Sequence, residues 1–361
     1  MNRSKQRIHP IVWGLAGLVA ALAVQTSQAL TMGGWSGLLA TGEASPLRPV
    51  IEDQLGTVAL AEDEGHDGHV AYVVALDPWA EWAHEEIPEA AYRYRRILLP
   101  AIAGGFGTIN GRFLMAMLVG INSMTFAVAA LAMASLSERL RLPAWTPLVV
   151  IANVGLWLSL QITSPDVLAF TLSLVGLLAY FRGRHWPAVA AFALSALAKE
   201  VYILIPLALA AYAWRDPPRR ALSRVYLASV IPLGVWSLYL TSRLQYPFRS
   251  GGNLTWPLKG IVDASSLWAS NSPRDLLFLI LAIAAVLTGM LLGYSKRGTV
   301  WSWLMAPWVG LALVSSHWIW DVGNNAARAF VPVISLLITA MWRHEHPVRS
   351  GDQLADLRHV R

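Results

Sequence analysis

Ten apolar stretches, most of them near the ~20 residues that a helix needs to cross a bilayer, follow one another along this chain. They lie near residues 11–29, 112–135, 144–162, 165–182, 185–198, 200–214, 222–242, 275–294, 299–318 and 326–343. With 55% hydrophobic residues, 14% charged residues and a mean hydropathy of +0.47, the chain has far too little polar surface for a soluble domain of its length. The expected fold class is an all-α, polytopic membrane helix bundle of about ten spans, a single transmembrane domain over residues 1–361.

Basic residues give the bundle its direction, because loops rich in Lys and Arg stay in the cytoplasm. Arg3, Lys5 and Arg7 precede the first stretch, and Arg139/Arg141, Arg182/Arg184, Arg215/Arg219/Arg220 and Lys296/Arg297 mark every second loop after it. Both termini then fall inside, including the tail 344–361, and the expected location is the cell inner (plasma) membrane. This bias accounts for the formal charge of +6 without any nucleic-acid partner. The small-residue run Ser27-Gln28-Ala29 also permits cleavage as a signal peptide, which would leave later topology unchanged. No cysteine is present, which rules out disulfides, thiolate metal sites and a cysteine nucleophile.

Two segments break the pattern. Residues 97–110, interrupted by Pro100 and Gly104-Gly105, are too short to cross and read as a re-entrant or interfacial helix within a non-cytoplasmic first loop, 33–111. Residues 185–214 are flanked by basic loops on both sides and interrupted by Lys199-Glu200, so they form a hairpin. Each arm has about 13 residues, roughly 20 Å of helix, against a hydrocarbon core of ~30 Å. Lys199 and Glu200 are therefore expected in a depression below the outer surface.

The first loop concentrates the chemistry. It carries Glu62-Asp63-Glu64-Gly65-His66-Asp67-Gly68-His69, then Tyr72, Asp77-Pro78 and the run Tyr92-Arg93-Tyr94-Arg95-Arg96. A carboxylate beside clustered arginines at a membrane surface suits group transfer from a phosphate leaving group. The carboxylate takes a proton from the acceptor, while the arginines grip the phosphate in forked hydrogen bonds. The same residues allow plainer readings: a turn at Asp67, headgroup anchoring by Arg93, Arg95 and Arg96, or a metal held by Glu64, His66 and His69. A divalent metal thus stays open as a cofactor. Asp166 follows Pro165 and also fits a helix cap; Lys199 and Glu200 also fit a self-neutralising pair; Asp321 and Arg328 fit either a salt bridge at the outer mouth or, through Arg328, a phosphate contact.

On these motifs the chain resembles bacterial membrane proteins related to the GT-C glycosyltransferases, whose layout is that of the dolichyl-phosphate-mannose mannosyltransferases. The further matches are Ser164-Pro165-Asp166, Ala198-Lys199-Glu200 and Asn324-Asn325 with Arg328. The resemblance implies Asp67 as the general base and a polyprenyl-phosphate-linked sugar as donor, lying between helices among membrane lipid. It implies Arg93, Arg95, Arg96, Asp166, Lys199, Glu200 and Arg328 as substrate-binding residues, and a glycan or other envelope component as acceptor. The chain departs from that pattern in having His69, Val70 and Ala71 before Tyr72, and in lacking a large soluble outer domain. The expected activity is sugar transfer on the non-cytoplasmic face. A transporter or lipid flippase, or a scaffold subunit without catalysis, are the alternatives.

Overall fold

A computed structural model describes residues 8–61, 65–244 and 252–343. The first helix, α1 (Pro10–Thr31), starts where Pro10 can occupy the first turn at no cost in hydrogen bonds and His9 Nδ1 accepts from the Ile11 N–H at 3.3 Å. It buries Gly14, Gly17, Ala21, Gln25 and Ala29, a stripe repeating every three or four residues. That stripe lies on the long helix Gly111–Arg139, where a side chain at Gly17 would run into Ala130. Gln25 is fully buried in this contact and accepts from Ser123 Oγ at 2.5 Å. The segment weighed as a signal peptide is thus packed into the bundle.

Between these two helices the first loop folds into short pieces. They are the two-residue parallel strands β1 (Thr41–Gly42) and β2 (Leu60–Ala61), with α2 (Arg48–Leu55), α3 (Asp67–Leu76), α4 (Ala90–Arg93) and α5 (Leu98–Gly104). Residues 68–75 of α3 are all buried. The seven-residue α5 is far short of the length of a crossing.

The long helix Gly111–Arg139 is α6, capped by Asn110, whose Oδ1 accepts from the Phe113 N–H at 3.0 Å. After it the stretch 144–162, expected as one span, is broken into α7 (Leu148–Ile151) and α8 (Val154–Gln161). Asn153 is the cause: it adopts an extended backbone and its Oδ1 caps α8 by accepting from the Leu156 N–H at 3.3 Å. Then come α9 (Asp166–Phe181), α10 (His185–Ala198), a 3-10 turn at Glu200–Ile203 and α11 (Leu204–Trp214). Next are α12 (Arg220–Leu227) and α13 (Ile231–Leu244), joined into one rod, Pro217–Leu244. The series ends with α14 (Lys259–Ser265), α15 (Pro273–Ser295), α16 (Val300–Val314), α17 (His317–Trp320) and α18 (Gly323–Arg343). Among the described residues five helices are long and apolar enough to cross a membrane: α1, α6, the Pro217–Leu244 rod, α15 and α18. The other expected crossings fall on shorter apolar helices, α9, α10, α11 and α16, and on the broken α7–α8.

The bundle has two unlike ends. At one, Arg139 Nε donates to the Phe181 carbonyl, Phe181 stacks on Trp301 at 5.0 Å, and Arg215 lies over the Trp303 ring at 5.4 Å. His185 Nδ1 sits 2.6 Å from the Tyr226 hydroxyl at this end too. Helix α10 leaves from here along α9, and α11 returns to pack on α12, so the arms of 185–214 do form a bent hairpin. Its turn is at Lys199, whose backbone is extended at φ −155° and ψ 119°. The opposite end holds Asp67, Arg96, Asp166, Lys199 and Arg328 in one cluster.

Candidate functional site

Two glycines place Asp67. Gly65 takes a left-handed φ of +80° where the chain presses on Gly42, and Gly68 lies so close to the Leu39 and Ile162 carbonyls that any side chain there would collide with them. The Asp-Gly pair therefore opens α3 directly against the chain leading into the Ser164-Pro165-Asp166 turn. Asp67, in the first turn of α3, is also favoured there by the positive end of the helix dipole.

Three guanidinium groups from two distant parts of the sequence converge on this carboxylate. Arg93, ending α4, donates to Oδ1 at 2.7 Å, and Arg96 Nη1 is 3.5 Å from the same oxygen. Arg328, in the second turn of α18, donates from Nη2 to Oδ2 at 2.5 Å. Arg328 also reaches Asp166 Oδ2 from Nη2 at 2.8 Å and from Nε at 3.2 Å, and Ser164 Oγ at 2.9 Å. Helix α18 can bring Arg328 so near because Gly155 of α8 leaves room for the Ala327 carbonyl. Lys199 donates to Asp166 Oδ1, and Ser164 and Ser159 donate to Oδ2 at 2.7 and 3.2 Å. Arg96 holds Glu200 in a fork, Nε and Nη2 each 3.2 Å from one carboxylate oxygen, and also donates to the Tyr92 hydroxyl.

The ion pairs among the described residues join four cations, Arg93, Arg96, Lys199 and Arg328, to three carboxylates, Asp67, Asp166 and Glu200, and the buried Arg95 guanidinium lies within electrostatic reach of Glu200 as well. Burial alone would push the Asp67 carboxyl up. Arg328, Arg96 and Arg93 outweigh it and hold the group well below the usual carboxylate range. Depth differs across the cluster: the Asp166 side chain is 3% exposed, Asp67 17% and Arg93 30%, so Arg93 and Asp67 face outward. They border a small open cleft, with Arg96 on the polar side and Val70, Val74 and Pro100 on the apolar one.

Most of the residues singled out in the sequence meet here. Asp166 is the buried centre of the cluster, more than a cap, and Arg328 pairs with Asp67 and Asp166, where a salt bridge to Asp321 had been one of the two readings open to it. Lys199 and Glu200 do not pair with each other; each serves a different partner. Arg95 is buried, 5% exposed, and is not among the residues that line the cleft. The three-residue metal set does not assemble among the described residues: Glu64 lies outside them, His66 is exposed, and His69 is turned into the interior with Nε2 3.2 Å from Ser45 Oγ. Burial pushes the His69 imidazole down to about 4, so it is held neutral. Asp77 proves architectural, accepting from the N–H groups of Glu81, Trp82 and Ala83 at 2.7–2.9 Å and from the Tyr94 hydroxyl at 3.2 Å. Sequence reasoning missed Asn253, whose Nδ2 donates to the Tyr92 hydroxyl at 3.0 Å across 161 positions.

The arrangement defines a class of site: a carboxylate and a cluster of cations sharing one half-apolar cleft at one end of a helical bundle. No family model, curated protein or solved structure matches this chain.

Proposed function

We propose that this chain is a GT-C-like membrane glycosyltransferase that moves a sugar from a polyprenyl-phosphate donor to a cell-envelope acceptor. In this reading it sits in the inner (plasma) membrane with about ten crossings, both termini in the cytoplasm and the charged cluster on the non-cytoplasmic face. The observation that carries the reading is the cleft in which Asp67 lies 2.7 Å from Arg93 and 3.5 Å from Arg96, beside an apolar wall. A lipid phosphate is matched on both sides, its charge by guanidinium groups and its chain by Val70, Val74 and Pro100. Placement at the end opposite the basic loops supports the sidedness.

The reaction follows from these groups. Asp67 accepts the proton of the acceptor hydroxyl as that oxygen bonds to the anomeric carbon. The bond from the anomeric carbon to the phosphate oxygen breaks, and its electron pair stays on the departing polyprenyl phosphate. Arg93, Arg96 and Arg328 balance the added negative charge, and Asp67 then returns its proton to water. The sugar–phosphate bond supplies the driving force, so no nucleotide is consumed. Clustering of the charges at one level favours chemistry there over a transport path, which would string ionisable groups through the spans.

The test is transfer or release of sugar by the purified protein given a polyprenyl-phosphate sugar, with and without a chelator. Asp67→Asn should abolish transfer while leaving membrane insertion intact. Wild-type rates in that variant would remove Asp67 from the role.

A further inference from the structure

Asp67 as it stands is a poor base: Arg328, Arg96 and Arg93 all satisfy it, and a carboxylate so held gives up little by staying ionised. Those three donors are the ones a phosphate entering the cleft would use. A carboxylate and a phosphate present the same fork of anionic oxygens to a guanidinium group, so the two compete for one place.

The surroundings decide which partner can leave. Arg96 and Arg328 keep carboxylates of their own, Glu200 and Asp166, when Asp67 moves away. Arg93 is the outermost of the three, and Asp67 is its one ion-pair partner among the described residues. All three carboxylates are multiply bonded, but Asp67 alone of them lines the cleft, and at 17% exposed against 3% for Asp166 it has open space to turn into. Among the described residues the cations of the cluster outnumber its carboxylates, so it tolerates exchange of a carboxylate for a more highly charged oxyanion.

We propose that Asp67 is the internal occupant of an oxyanion site formed by Arg93, Arg96 and Arg328, which a phosphate ligand must displace, so that binding the ligand is what frees the base. The inference rests on the phosphate-binding part of the function proposed above. It adds to it that the base is withheld until the donor's phosphate takes its arginines, a safeguard against proton abstraction with an empty cleft. The apparent affinity is lowered by the fraction of time that Asp67 holds the site, and removing the carboxylate removes that handicap.

The experiment measures binding of inorganic phosphate and of a short-chain isoprenyl phosphate to the purified full chain in detergent, for wild type, Asp67→Asn and Asp67→Ser. Both variants should bind about tenfold more tightly than wild type. A gain with both probes marks a site for the phosphate group itself; a gain with the isoprenyl phosphate alone marks a site completed by the lipid chain. Unchanged or weaker binding of both probes, or binding of neither probe by any of the three proteins, overturns the proposal. So does failure of both variants to elute as folded protein, because displacement requires the fold to survive without the Asp67 pairs. Transfer assays on the same preparations separate the two claims. Tighter binding by the variants with no transfer by wild type would keep the internal occupant and remove the glycosyltransferase; transfer by wild type without tighter binding would do the reverse.

Discussion

Replacing Asp166 by Asn leaves the shape of the side chain and removes its charge, and the structure fixes what that should cost. Asp166 is 3% exposed and is the one carboxylate in ion-pair contact with Lys199 among the described residues. Arg328 loses one partner and keeps Asp67, and the amide can still serve Ser159 and Ser164. The dominant loss is the Lys199 ammonium, left buried beside a neutral group. Stranding one member of a buried ion pair costs about 3–5 kcal/mol, and with the serine bonds kept we take the lower end, about 3 kcal/mol. That is roughly a hundredfold in the folding equilibrium, at about 1.4 kcal/mol per factor of ten. Adding Lys199→Met removes the stranded charge and should restore the protein to within about 1 kcal/mol of wild type. The assay is equilibrium unfolding in mixed micelles, followed by tryptophan fluorescence, on wild type, both single variants and the double. A single variant within about 0.5 kcal/mol of wild type would refute the claim that this pair anchors the cluster, as would a double variant as unstable as the sum of the singles.

Four further outcomes are expected. His69 is held neutral down to about 4, below its ordinary value of 6.5, so the unfolded chain binds the extra proton first and stability falls as pH drops from about 6.5 to 4. The loss should reach about 3 kcal/mol, and His69→Gln should flatten the unfolding-versus-pH curve in that window alone. Gly68→Ala drives a methyl group into the Ile162 and Leu39 carbonyls, so α3 must shift; transfer should drop by about a hundredfold while the protein still inserts, read as initial rates. Gly17→Leu overfills the contact of α1 with Ala130 and should destabilise by about 1–3 kcal/mol in the same unfolding assay, whereas a helix outside the bundle would tolerate it. Arg93→Gln should weaken binding of an isoprenyl phosphate severalfold with little change in stability, since its side chain is 30% exposed; unaltered binding would take Arg93 out of the site.

What the sequence made legible was what depends on apolar windows. The long apolar helices and the shortness of 97–110 and of the two hairpin arms could be read directly, because lipid imposes a length. Asp67 with Arg93 and Arg96 was also legible, since one loop holds all three. The interruption at Asn153 was hidden, because a single capping amide barely lowers the hydropathy of a window twenty residues long. Arg328 was open in the sequence between a salt bridge to Asp321 and a phosphate contact; packing carries it to Asp67, 261 positions away, through a close approach that only the absence of a side chain at Gly155 allows. His69 was weighed in the sequence with Glu64 and His66 as a ligand set; His66 stands just before α3 with an extended backbone and is exposed, whereas His69 is inside the helix, buried and facing Ser45.

The way α13 grips the first loop bears on how such a chain can drift. Trp236 Nε1 donates to the Tyr94 carbonyl at 2.8 Å, the Tyr239 hydroxyl to the Trp79 carbonyl at 2.8 Å and Arg243 Nε to the Ala80 carbonyl at 3.3 Å. All three acceptors are main-chain oxygens, which every amino acid provides. The hydrogen bonds themselves are indifferent to the side chains at 79, 80 and 94, but the Trp79 ring also meets Trp236 and Tyr239 edge-on at 6.3 Å and the Tyr94 hydroxyl holds Asp77, so strip and helix constrain each other. Over generations, the strip and the helix that grips it should therefore change together rather than apart, which leaves the residues lining the cleft free to vary without losing their seat.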